Sequence, residues 1–262
     1  MENKQASKTI NQYIQYLDIE LCQKSNMAVY GLSGCGKSRL ACSIASILRK
    51  HNYFVAYIDV VGNIKHISSL PYYLKVDPKK WCLIIRTEGI LIDISDLLLE
   101  EQLNYINEFF QVYWTFRKAN IEWTQQAVII LEESELYCQY LRSKTAQQIF
   151  RMVMSGRNEP IRTRVMAISP RIANVDTSIS EMCEQIYLGS TVGDRNAIKI
   201  RALLGKEYVD VARELETGQF IWKHGKQIDI VKVPLFERET RPTELKEPSF
   251  WQKLKGDYRR VI

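Results

Sequence analysis

Short, mainly apolar runs recur along the chain: MAVY (27–30), YFVAYID (53–59), WCLIIR (81–86), AVIIL (127–131), TRVMAIS (163–169) and EQIYLG (184–189). Each has the length of a strand, and continuous rather than alternating hydrophobicity marks strands covered on both faces. Between them the period lengthens. Leu103, Ile106, Phe110, Tyr113 and Phe116 recur at helical spacing and predict a helix across 100–120. Ile10, Tyr13, Leu17 and Leu21 predict another over 9–22, and further helices are expected from a glycine-rich turn to Lys50 and over about 134–154. Apolar strands alternating with helices imply an α/β fold, a mainly parallel sheet with helices on both faces. After Gly218 the texture changes. QFIWK and QIDIVKV flank HGK, the pattern of a C-terminal antiparallel hairpin. The expected organisation is an N-terminal helical extension over 1–26, one domain over 27–236 and a charged tail over 237–262.

Composition changes this picture little. A chain of 262 residues buries a sizeable core, and 46% hydrophobic with 25% charged residues is ordinary for a globular protein. A net charge of +6 admits a polyanionic partner without requiring one. Six cysteines without a CxxC pair and three histidines without ligand spacing argue against a zinc site and predict reduced core thiols. MENKQASKTINQ is too polar for a signal peptide, and no run approaches the roughly 20 apolar residues that span a bilayer. A soluble, cytoplasmic protein is expected. Tyr72, Tyr73, Trp81, Trp114 and Trp123 read as packing residues rather than base-stacking platforms.

The chemistry begins at GLSGCGKS (31–38), which matches G-x-x-x-x-G-K-[ST] between a predicted strand and a predicted helix. Glycines let the backbone wrap phosphate oxygens, so that N–H groups and the helix N-terminus face the anion. Gly31, Ser33, Gly34, Cys35, Gly36, Lys37, Ser38 and Arg39 form the expected nucleotide-binding set. Lys37 would bridge the β- and γ-phosphates of ATP, and Ser38 would ligate Mg²⁺. Hydrolysis needs a second element, an apolar strand ending in acids, and AVIILEE supplies it. Glu132 would hold Mg²⁺ through water, and Glu133 would act as general base on the attacking water. The usual residue at the first position is Asp, so one extra methylene must be accommodated. The competing reading is that EESE only caps and charges the next helix.

The ordered motifs resemble the HerA/FtsK superfamily of P-loop ATPases. In YIDVVGN, Asp59 and Gly62 fit the strand-ending aspartate and following glycine of that family. VIILEESELYC is similar to its strand and acid pair, residues 150–189 to its helix, Gly-Arg turn and strand, and LETGQFIWK to its entry into the closing strand pair. The resemblance spans about residues 27–235 and implies a RecA-like P-loop NTPase fold. It also implies a homo-oligomeric ring that translocates double-stranded DNA, with ATP between subunits and an arginine reaching across the interface. Arg157 in SGRN is the first candidate for that arginine and Arg171 the second. The family's sensor glutamine falls at Pro170, so either Ser169 takes that contact or the coupling between hydrolysis and motion differs here. Arg157, Arg162, Arg164 and Arg171, with Lys65 and His66, are the candidate DNA contacts. Lacking an anchor, an N-terminal barrel and a winged-helix end domain, the chain is similar to viral genome-packaging ATPases. That implies a host-cytoplasmic or virion-associated location and a capsid or membrane docking protein. A cellular or plasmid DNA-transfer or repair translocase, a non-processive replication switch, and a nucleotide-binding scaffold are the alternatives.

Overall fold

A computed structural model describes residues 16–75, 89–138, 144–234 and 243–244. The strands are β1 (Asn26–Tyr30), β2 (Phe54–Asp59), β3 (Tyr72–Lys75), β4 (Gly89–Asp93), β5 (Ala127–Leu131), β6 (Thr163–Ser169), β7 (Cys183–Leu188), β8 (Gln219–His224), β9 (Gln227–Lys232) and β10 (Thr243–Glu244). They form a single sheet in the order β10-β3-β4-β2-β5-β6-β1-β7-β8-β9. Every pairing from β10 to β7 is parallel, and the β7–β8 and β8–β9 pairings are antiparallel. The hairpin expected from QFIWK and QIDIVKV is therefore present.

Continuous hydrophobicity has the predicted cause. Every residue of β1, β2, β5 and β6 is buried, because both faces of the sheet are covered. Ala28 and Tyr30 of β1 pack into one core with Ile106, Phe109 and Phe110 of the helix Leu99–Ala119. Met27 and Val29 point the other way, into a second core with Leu40, Ala41 and Ile44 of the helix Lys37–Lys50. All parallel strands end on one edge of the sheet, and β6 lies between β1 and β5. That order sets the glycine-rich turn after β1 beside the acids that follow β5.

Several expectations need correction. Residues 16–18 are not helical; the helix starts at Ile19 and runs to Lys24. Asp18 caps it by accepting from the Leu21 N–H at 3.0 Å, and the rest of the expected 9–22 helix lies outside the described residues. The helix expected over 134–154 is described as two, Glu135–Cys138 and Lys144–Ser155, with 139–143 outside the described residues. The expected strand at 81–86 also lies outside them. Strands β3 and β4 and the helices Asp194–Leu203 and Tyr208–Glu214 were not predicted from the pattern. Cys22, Cys35, Cys42, Cys138 and Cys183 are buried free thiols, as expected, and Cys82 lies outside the described residues.

Candidate nucleotide site

The loop 31–36 is tied down on three sides. Gly31 N–H donates to Ser169 O at 3.3 Å, Leu32 N–H to Ser190 O at 2.7 Å, and Cys35 O accepts from Gly218 N–H at 2.9 Å. Strands β6, β7 and β8 thus each anchor it at or just beyond one end. Gly36, immediately before the helix Lys37–Lys50, has φ +104° and ψ 11°, a left-handed conformation that side-chain-bearing residues rarely take. Ser33, Gly34 and Arg39 are exposed, whereas Cys35 and Lys37 are buried. Lys37 Nζ donates to Leu32 O at 3.1 Å, so its ammonium lies folded against the loop.

The twin glutamates meet this loop. Ser38 Oγ donates to Glu132 Oε1 at 2.6 Å, and the Tyr57 hydroxyl donates to Glu132 Oε2. Glu133 lies close enough to Lys37 for its charge to favour the carboxylate. Glu133 also has φ +47°, a costly conformation for a non-glycine residue outside a special site. Converging hydroxyl and carboxylate oxygens at Ser38 and Glu132 are hard donors of the kind Mg²⁺ takes, so these residues fit a magnesium nucleotide. Asp59 is fully buried at the end of β2. Its carboxylate accepts from the N–H groups of Val61, Gly62 and Ile64 at 2.9, 2.8 and 2.9 Å, shaping the loop that carries the exposed Lys65 and His66.

Burial raises the carboxyl pKa of Glu133 above its ordinary 4.5, opposed by Lys37 and reinforced by Glu135. Burial raises Glu132 and Asp59 as well, against the hydrogen bonds each accepts. The sign for stability follows. The folded state holds the Glu133 proton more tightly than the unfolded state does. Its stabilising contribution is therefore fully present below 4.5 and is lost as pH rises through the raised value. Glu133→Gln is fixed in the neutral form and escapes that loss. Without metal or nucleotide, the variant's Tm should gain on the parent's as pH rises from about 5 to about 8. A Tm difference that stays flat across that range would show that the carboxyl is not held in an apolar setting.

The remaining candidates divide between the two edges of the sheet. Ser169 ends β6 on the nucleotide edge; its hydroxyl donates to Glu135 Oε2 at 3.2 Å and accepts from Arg171 N–H at 3.1 Å. Arg171 is exposed there. Arg157, also exposed, precedes β6 and so lies at the opposite edge. Arg162 lies there too, paired with Glu159 at 2.5 Å. Arg164 is buried, its guanidinium donating to Gln23 O, and burial lowers its pKa to about 10. It does not present its charge to a surface. Sequence reasoning missed Tyr57, Gly218 and Glu135. A single hydroxyl in the apolar run FVAYID was the available signal for Tyr57; the other two needed the fold.

No protein-family model matches the chain, and no curated protein matches it. Solved structures do. Genome-packaging NTPase B204 of Sulfolobus turreted icosahedral virus 2, in complex with AMPPCP, aligns with a TM-score of 0.63 at 15% identity, covering 82% of this chain and 100% of that one. The same protein with sulfate gives 0.62 at 13% identity, covering 81% and 98%. VirB4 of Thermoanaerobacter pseudethanolicus gives 0.58 at 11% identity, covering 79% and 89%. At these identities the likeness speaks to fold. Among the described residues no helix is long and apolar enough to cross a membrane. The chain has a RecA-like P-loop fold, similar to that of the packaging NTPase B204.

Proposed function

We propose that the chain is an ATP-hydrolysing motor of the HerA/FtsK type that moves double-stranded DNA as a homo-oligomeric ring, with viral genome packaging as its setting. The observation that carries this reading is the 2.6 Å contact between Ser38 and Glu132, with Glu133 beside Lys37. The nucleotide edge of the sheet thereby gathers a phosphate loop, a metal-binding oxygen pair and a carboxyl whose pKa burial raises. Bound Mg²⁺ would lie against Ser38 and Glu132 and neutralise developing phosphate charge. Lys37 leaves Leu32 O to pair with the β- and γ-phosphates, and Glu133 orients and deprotonates the attacking water. Likeness to a packaging NTPase over nearly the whole of that protein supports the setting. Lys65 and His66, exposed on the nucleotide edge, and Arg171 are the DNA contacts this arrangement favours. A capsid or membrane protein would dock the ring.

A processive motor should show multiple-turnover ATP hydrolysis that rises on adding long duplex DNA and displaces a bound block. Lys37→Ala should abolish both turnover and nucleotide binding. One observation favours a second reading, a non-processive ATP-dependent switch. Pro170 follows β6 where the family has a side-chain amide, and Ser169 is already engaged with Glu135. Nucleotide-dependent assembly on DNA with slow turnover, indifferent to duplex length, would decide for the switch.

A further inference from the structure

Tyr57 sits in the middle of β2, two residues before Asp59 and on the same face of the sheet. It pairs in register with Ile130 of β5, and Glu132 lies two residues beyond Ile130, again on that face. A tyrosine here is a diagonal neighbour of the glutamate, long enough to reach it; the hydroxyl does so from a fully buried ring. The other carboxylate oxygen of Glu132 accepts from Ser38 at 2.6 Å. The two oxygens are therefore shared out, one toward the interior of the sheet and one toward the phosphate loop.

We propose that Tyr57 is the positioning residue for magnesium in this chain, holding the long Glu132 side chain so that its other oxygen, the one beside Ser38, is aimed at the metal. This rests on the nucleotide-site reading and goes beyond it, because it accounts for glutamate where aspartate is usual. An aspartate at 132 has the same pair of oxygens but holds them one methylene nearer the backbone, short of the two hydroxyls. Glutamate spans them, and the tyrosine removes the rotational freedom that the extra methylene brings. Tyr57 and Glu132 are then a matched pair, and changing either should undo the same function.

The test is the Mg²⁺ dependence of nucleotide binding, read with a fluorescent ATP analogue and no turnover measured. In Tyr57→Phe the half-saturating Mg²⁺ concentration should rise about 10- to 100-fold, the usual cost of losing a group that orients a metal ligand. Binding measured in chelator should stay within about two-fold of the parent, which a merely structural defect would not allow. Glu132→Asp should produce a similar rise, and the double variant should be no worse than either single one. An unchanged Mg²⁺ response in Tyr57→Phe, or additive losses in the double variant, overturns the proposal. If Tyr57→Phe does not fold, Glu132→Asp decides alone, and an unchanged Mg²⁺ response in it overturns the pairing. Should the parent chain bind nucleotide without any Mg²⁺ response, or Lys37→Ala bind as the parent does, the nucleotide-site reading fails and the Tyr57 role falls with it. Failure of Tyr57 alone leaves that reading intact.

Discussion

Glu133→Gln should bind ATP with near-parental affinity and hydrolyse it about 100- to 10,000-fold more slowly, the range that a positioned general base supplies. The amide is the same size as the carboxyl and cannot take a proton from water. Because Lys37, Ser38 and Glu132 are untouched, the nucleotide site keeps its ligands. The left-handed backbone at Glu133 is no harder for glutamine than for glutamate. Single-turnover quench separates the steps: labelled ATP should remain unhydrolysed on the variant after the parent has converted its own to ADP. Turnover within a few-fold of the parent would assign the base elsewhere, with Glu135 the next carboxylate to test after the metal-side Glu132.

Arg157→Ala should lower kcat by about 1,000- to 100,000-fold while leaving ATP affinity largely intact, the signature of an arginine that acts on transition-state charge. The fold sets the condition under which this can happen. Arg157 precedes the seven-residue strand β6, and the phosphate loop lies beyond that strand's other end. Seven residues of strand are roughly 23 Å, several times the reach of an arginine side chain. Arg157 can therefore serve only the nucleotide of a neighbouring copy. Mixing Arg157→Ala with Glu133→Gln subunits tests this directly, since some interfaces would then combine an intact arginine with an intact glutamate. Partial recovery of hydrolysis supports action across the interface. Absence of recovery in assembled mixtures, or full activity of Arg157→Ala alone, removes the residue from the mechanism.

Legibility in the sequence followed how local each feature is. Strands β1, β2, β5, β6 and β7 could be read because a continuous apolar stretch, buried on both faces, runs through each of them. The glycine-rich turn was legible because its chemistry is carried by one contiguous segment. Strand β4 was passed over: GILID is short and its aspartate reads as loop, yet Asp93 lies opposite Asp59 at the paired end of β2. Arg164 illustrates the opposite error. A charge inside TRVMAIS suggests a surface, but a backbone carbonyl contributed by Gln23, far away in sequence, receives the guanidinium in the interior. The contact of Tyr57 with Glu132 depends on which strand neighbours which, and in what register. No local pattern encodes that.

The placement of β10 bears on how the molecule comes off the ribosome. Strand β9 closes one border of the sheet, and the next described segment, Thr243–Glu244, pairs with Tyr72–Tyr73 at the other. Until that late segment emerges, the nascent chain shows an unsealed β3 rim whose amides and carbonyls can template a foreign strand. Loss of the segment that carries Thr243–Glu244 would leave the same rim open in the folded protein, a starting point for aggregation.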